Sequence, residues 1–595
     1  MTRLPAEVTQ LPVAGLLPAL TEALATQANV VLVAPPGAGK STGVPLALLA
    51  DGRLRGRIIL LEPRRLAARA VATRMAKLLG EPLGQTVGIR TRLETRVSAA
   101  TRLEVVTEGV LTRMLQADAA LEGVALVIFD EFHERSLNAD LGLALCLDAQ
   151  ANLRDDLRLL VMSATLDAAS VAGLLGGDGR DCPVLSSEGR AFPVETRHLG
   201  RAQPDSLARD VAAAVRRALT DEPGDLLVFL PGAPEIRRVM RLLAEPAPPA
   251  GVHVLPLYGD LTPADQDAAL GRAPAGVRKV VLATAIAETS LTIEGVRVVI
   301  DCGYARRARF DPVSGMSGLE TVRVSRAAAD QRRGRAGRLE PGTCYRLWPE
   351  EQTRALAAQT PAEILEADLA PLALELACWG VADPGQLRLL DAPPAATFAQ
   401  ARDLLTRLGA LDAAGSITAH GRGMARLGLH PRLAHMVLAA RPLGLANLAV
   451  DIAAVLSERD LFRAGTGLRN ADLRLRVEAL RREAATPAGL ELDRGACERA
   501  RRLVSQWRRE LGLDSREVAD VDGAGILLAF AYPDRIGRAR GADGRYALSG
   551  GRGAFFAEPQ ALARSEFLVA AELDAGERVA RISHAAPVTL DELER

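Results

Sequence analysis

Lys40 stands in the run Ala34-Pro35-Pro36-Gly37-Ala38-Gly39-Lys40-Ser41-Thr42, and it is one of only three lysines among 73 basic residues. The other positive charges are arginines, so a lysine kept between glycines and a Ser-Thr pair points to work for a compact cation. That work is holding the β- and γ-phosphates of a nucleotide. The P-loop pattern is Gly-x-x-x-x-Gly-Lys-Ser/Thr, and Ala34 misses its first glycine. Gly37, Ala38 and Gly39 can still turn main-chain N–H groups toward phosphate oxygens, backed by the start of a helix that carries Ser41 and Thr42. The Ser41 hydroxyl is a candidate ligand for Mg2+.

Two further groups fit the same chemistry. Asp130 and Glu131 follow the apolar run Val124 to Phe129. One carboxylate would hold Mg2+, through water, and the other would polarise the attacking water. An acidic strand end facing solvent is the bland alternative, and a P-loop lysine in the same chain weighs against it. The third group is Gln331-Arg332-Arg333-Gly334-Arg335-Ala336-Gly337-Arg338. Arg335 and Arg338 are three apart and would share a helical face, where two guanidiniums could stabilise charge on a transferring phosphoryl group. Taken alone, this run also reads as a solvated basic helix or a nucleic-acid patch.

The elements that must position these groups are short apolar strands alternating with helices. Val30 to Ala34, Ile58 to Glu62, Val124 to Phe129 and Leu157 to Met162 read as buried strands of a parallel sheet, whose carboxyl edge binds ligands. The pattern restarts after Phe192-Pro193 with Leu226 to Leu230, Val280 to Leu282 and Val298 to Ile300. A β-hairpin is expected within 302–325. From about Glu350 the chain reads as mostly helical, with a short strand and turn at Ile417 to Gly421. After Asp520 the texture becomes β-rich.

Composition bounds the rest. A 595-residue chain with 48% apolar and 25% charged residues is an ordinary globular protein of several domains. Its 73 acidic residues balance its 73 basic ones, which excludes a uniformly basic binder but not a local basic channel. The six cysteines are scattered without a Cys-x-x-Cys pair, so neither zinc nor a disulfide framework is supported. The three histidines 420, 430 and 435 read as packing or surface residues. No apolar run reaches membrane-spanning length and the N-terminus has no signal-peptide pattern, so a cytoplasmic location is expected.

These motifs, in their order and spacing, resemble the superfamily 2 helicases of the DEAH/RHA class, and further matches resemble its bacterial HrpB branch. Asp130-Glu131-Phe132-His133 is similar to the DEAH box with Phe for Ala. Pro63-Arg64-Arg65 resembles motif Ia, Thr107-Glu108-Gly109 motif Ib, Ser163-Ala164-Thr165 motif III and Phe229-Leu230-Pro231-Gly232 motif IV. Residues 284–293 resemble motif V and 331–338 motif VI. The resemblance implies an α/β fold of two tandem RecA-like P-loop domains, 1–197 and 198–349, the second carrying the hairpin as a wedge. Accessory domains would follow: winged-helix at 350–430, helical-bundle at 431–515 and OB-like at 516–595.

By the same resemblance the chain is an ATP-dependent helicase, cytoplasmic and monomeric, using ATP and other NTPs with Mg2+ and moving 3′ to 5′ on single-stranded RNA. DNA remains open as a substrate. A nucleic-acid-stimulated NTPase that remodels RNA–protein complexes without unwinding is the rival reading. Glu131 and Gln331 would position the water, with Lys40, Arg335 and Arg338 on the phosphates. Ser290 and Glu294 would contact the nucleotide, and Ser41, Asp130 and Glu131 would serve the metal. His133, Ser163 and Thr165 would couple nucleotide state to closure. Arg64, Arg65, Thr107 and Thr289 would hold the nucleic-acid backbone. Ala285 stands where many relatives have Asn, which removes a possible polar contact. Many chains of this branch carry a further C-terminal region, so a natural short form or a shortened chain is implied.

Overall fold

The computed structural model describes residues 4–594 except 93, 165–167, 178–181, 188–191, 201–204, 260, 289–292, 313–314, 339, 464–469, 483–485, 488, 515–518, 542 and 575–578. Two compact units divide the chain. The first is Met1–Ala308, Leu319–Glu366 and Gly385–Ala392; the second is Arg309–Gly318, Ala367–Pro384 and Pro393–Arg595.

The first unit holds two sheets. Strands β1 (Asn29–Val33), β2 (Arg57–Glu62), β3 (Val87–Arg90), β4 (Thr95–Arg96), β5 (Leu103–Thr107), β6 (Val124–Phe129), β7 (Arg158–Ser163) and β8 (Val184–Ser186) form one. Their order is β4-β3-β5-β2-β6-β7-β1-β8. Every pairing is parallel except that of β3 with β4. Because β1, β2 and β6 are buried on both faces, they read as unbroken apolar runs. Parallel order also brings the ends of β1, β2, β5, β6 and β7 to one edge, and each runs into one of the motifs.

The second sheet comprises β9 (Val194–His198), β10 (Asp225–Phe229), β11 (Val252–Leu257), β12 (Arg278–Ala283) and β13 (Val296–Asp301). The hairpin strands β14 (Tyr304–Asp311) and β15 (Met316–Arg323) precede its last member, β16 (Gly342–Arg346). The order is β11-β12-β10-β13-β16-β9, all parallel. Since β9 pairs with β16 along Val194–His198, the division between the two sheets lies before Val194 rather than at 197.

The second unit is helical and then β-rich. Helices Ala370–Trp379, Ala395–Arg407, Ala419–Arg426, Pro431–Ala439, Ala446–Ser457, Leu473–Arg481 and Arg494–Leu511 lead to a closed barrel. Its strands are β17 (Ile536–Ala539), β18 (Arg545–Leu548), β19 (Gly553–Phe555), β20 (Phe567–Leu573) and β21 (Val579–Val588). They close in the order β17-β18-β19-β21-β20 around Tyr546, Leu568 and Ala585. The strand expected at Ile417 to Gly421 shrinks to one bridge, Leu411 to Ile417. Thr418 then accepts from the Gly421 N–H and starts a helix instead.

Candidate functional site

The turn after β1 forms as its glycines require. Gly37 and Gly39 have φ of 86° and 92°, a region that glycine enters without steric cost. The Ala34 N–H donates to the Ser163 carbonyl at 3.0 Å, tying the loop to the end of β7. Lys40 opens the helix Lys40–Asp51, is buried, and turns its ammonium onto the Ala34 carbonyl, with that of Pro35 at 3.4 Å. Ala34 itself is fully buried, so its methyl is accommodated where the motif has glycine.

Asp130 and Glu131 meet this loop from β6. The Lys40 ammonium and the Ser41 hydroxyl both favour the ionised form of the Asp130 carboxylate. The Glu131 N–H donates to Asp130 Oδ1 at 2.8 Å, while the buried Asp130 Oδ2 accepts no hydrogen bond among the described residues. Burial, then the neighbouring Glu131, pushes Asp130 up to about 6. Burial alone would raise Glu131 too, but Lys40, His133, Arg335 and Arg338 outweigh it and hold that carboxyl below its usual value. Glu131 and Arg135 have φ of 49° and 50°, an unusual conformation for non-glycine residues, and they bracket the turn Phe132–Glu134. Within it, His133 Nδ1 lies 3.4 Å from both Ser163 Oγ and the Ala164 N–H, and 3.5 Å from Glu131 Oε2.

The second sheet brings Arg335 and Arg338 to this group. The helix on which they were expected to share a face, Arg326–Gly334, stops before either of them. Gly334 is its last residue, and the Gly337 carbonyl accepts the Phe192 N–H at 2.9 Å, so the chain turns against β9 instead of continuing. Both guanidiniums still act on Glu131. A methyl placed on Gly37 would lie 3.7 Å from Arg338 Nε, so the Arg338 side chain covers the P-loop. Burial pushes Arg338 down to about 10, and burial then Arg338 lower Arg335 well below its usual value. Gln331, half-buried, is carried on the same helix.

Other expected residues are placed differently. Arg64 donates to the Ala285 carbonyl at 2.9 Å and to Glu134 Oε2 at 3.0 Å, joining the two sheets' motifs to each other. The contact uses a main-chain carbonyl, so it is indifferent to Ala standing at 285. Arg65 is exposed, and Thr107, at the end of β5, pairs in register with Glu62. Glu294 is exposed before β13, and its carboxylate acts on Lys279. Thr165, Thr289 and Ser290 lie outside the described residues.

The sequence reading missed Arg332. It belongs to the run resembling motif VI and is buried, with Nε 2.6 Å from Glu288 Oε1 and Nη1 2.7 Å from Asp301 Oδ1, over the Phe229 ring at 5.0 Å. The Glu288 carbonyl in turn accepts from Arg335 Nε at 2.9 Å. Asp301 ending an apolar strand was the one available signal. Glu62 was missed too: it is fully buried, and burial, then Asp130 and Glu131, pushes its carboxyl well up.

With this geometry stand the similarities to known proteins. The DEAD/DEAH box helicase family model matches residues 18–173, and the helicase conserved C-terminal domain model matches residues 210–340. The chain is 49% identical over 588 residues to the ATP-dependent RNA helicase HrpB of Escherichia coli (strain K12), covering 98% of this chain and 69% of that one. It is 36% identical over 451 residues to the probable ATP-dependent RNA helicase DHX35 of Homo sapiens, covering 73% and 64%. A crystal structure of the Escherichia coli DEAH/RHA helicase HrpB superposes with a TM-score of 0.86 at 47% identity, covering 98% of this chain and 71% of that one.

Proposed function

The chain belongs to the DEAH/RHA family of DEAD/DEAH-box helicases, and from that premise we propose that it is an ATP-dependent RNA helicase. Hydrolysis of ATP between the two RecA-like sheets would drive movement along single-stranded RNA, 3′ to 5′. The observation that carries the reading is the approach of Arg338 to Gly37, which puts both halves of a phosphoryl-transfer site in one place.

The residues divide the work by their charge state. Lys40 and the N–H groups of the glycine turn bind the β- and γ-phosphates. Glu131, kept ionised by Lys40, Arg335 and Arg338, accepts the proton of the attacking water, and Gln331 orients that water. Arg335 and Arg338 stabilise the charge that develops on the departing phosphoryl group. Ser41 and Asp130 are hard oxygen donors, one with a buried oxygen left over, and they fit Mg2+, which when bound would neutralise phosphate charge. His133 passes the state of Glu131 to Ser163. Contacts to RNA through its backbone would give weak sequence preference and strong salt dependence. A cytoplasmic enzyme acting on RNA fits this reading.

The test is Glu131→Gln. The variant should bind ATP as the parent does and lose about 10²-fold or more in turnover, the usual contribution of a general base. Hydrolysis at the parent rate would sink the assignment. Strand displacement on RNA and DNA duplexes with either overhang then reads substrate and polarity.

A further inference from the structure

The segment Val8–Leu16 precedes the part of the chain matched by the helicase family model, which begins at residue 18. It nevertheless reaches the phosphate-binding turn. Two short helical turns, Val8–Gln10 and Pro12–Leu16, are joined at Leu11, whose backbone is extended. Val8 and Val13 are fully buried. A methyl placed on Gly39 would sit 2.6 Å from Leu11 Cδ1, and one on Gly43 would sit 2.9 Å from the same atom and 3.5 Å from Val8 and Val13. Neither glycine could therefore carry a side chain without displacing Leu11. The Val13 N–H also donates to the Ala38 carbonyl at 3.0 Å.

That hydrogen bond has a geometric consequence. In a trans peptide the carbonyl and the following N–H point in opposite directions. Fixing the Ala38 carbonyl toward Val13 therefore turns the Gly39 N–H away from the strap, toward the side where phosphate oxygens bind. Gly39, at φ 92°, is a residue type that could otherwise flip this peptide at little cost.

We propose that Leu11 and Val13 are positioning residues for the nucleotide: they form a strap that pre-organises the glycine turn for phosphate binding. The inference rests on the ATPase reading given above. A turn that is already set does not spend binding energy on its own ordering, so the strap lowers the dissociation constant of the nucleotide and leaves turnover at saturation nearly unchanged.

The test uses the full chain, a fluorescent N-methylanthraniloyl-ATP with Mg2+, and the variants Leu11→Ala and Leu11→Met. Leu11→Ala should raise the dissociation constant about tenfold, equivalent to roughly 1.4 kcal/mol of lost pre-organisation. Its turnover at saturating ATP should stay within about twofold of the parent, the signature of lost ground-state binding. Amide exchange over residues 34–43 should quicken, RNA affinity without nucleotide should hold, and Leu11→Met should restore parent behaviour. An unchanged dissociation constant would overturn the proposal, as would weakening of RNA binding to the same degree. Should Leu11→Ala not fold, Leu11→Val, which loses part of the contact, must weaken nucleotide binding relative to both the parent and Leu11→Met, and equal affinities would refute the strap. A parent that binds no nucleotide would remove the ATPase reading itself.

Discussion

Arg332→Met removes a buried cation from between two carboxylates while keeping most of its apolar length. Arg332 is 1% exposed and Asp301 is not exposed at all, so the variant leaves Asp301 buried without its charge partner. Breaking a buried pair in this way costs about 3–5 kcal/mol. With about 2–4 °C per kcal/mol for a domain of this size, the melting transition of the first unit should fall by roughly 6–20 °C. A second effect is chemical. Glu288 is held through its side chain by Arg332, and its carbonyl holds Arg335 Nε at 2.9 Å. Glu288→Gln keeps the shape but weakens the charge-assisted bond, at about 1.5–3 kcal/mol. Displacement of Arg335 by about 1 Å would cost on the order of 10²-fold in turnover. RNA-stimulated ATPase rates with a thermal scan of each variant separate the two effects. Glu288→Gln should lose turnover far beyond its loss of melting temperature, with the Michaelis constant for ATP little moved. Parent-like turnover for Glu288→Gln, or an unshifted melting temperature for Arg332→Met, would refute the reasoning.

Two other outcomes follow from the geometry. Arg64→Ala deletes the bonds to Glu134 and the Ala285 carbonyl, so ATPase activity at saturating RNA should fall at least about tenfold, as expected when more than 1.4 kcal/mol of closure is lost; unchanged turnover, read in a steady-state assay, would show that this bridge does not couple the sheets. His435, pushed down to about 4 by burial and then by His420, is neutral in the fold and takes up a proton on unfolding below about pH 6.5. Its contribution to stability is therefore present above about 6.5 and lost as the pH falls toward 4. Denaturant midpoints at pH 7 and 5 should fall less for His435→Phe than for the parent.

Much of the motor was legible because its motifs sit where local pattern is strongest, at the ends of apolar strands. Lys40, Asp130 and Glu131 needed only a strand, a turn and a residue type to be singled out, whereas Arg338 was read on a helical face that stops short of it. What escaped depended on contacts that no local pattern encodes. Four arginines in 331–338 have the same chemistry in sequence, and only the stop at Gly334 decides that Arg332 is buried while Arg335 and Arg338 turn to the P-loop. Arg64 was expected to hold the nucleic-acid backbone because Pro63-Arg64-Arg65 resembles motif Ia, and its bond to the Ala285 carbonyl, 221 positions away, has no local signal. The strand read at Ile417 failed because Thr418 caps a helix more effectively than one bridge holds a strand. The barrel's closure, with β21 between β19 and β20, is likewise a long-range choice.

The left-handed backbone at Glu131 and Arg135 bears on how this protein could be improved in the laboratory. Each such residue costs on the order of 1 kcal/mol or more, which glycine would not incur. Glycine at position 131 would shed that cost but would also strand the buried Lys40 and Arg335 without the carboxylate that offsets them, at about 3–5 kcal/mol. A library screened by melting temperature alone would therefore keep glutamate at 131, and the charge cluster guards the catalytic carboxylate against the backbone's own preference.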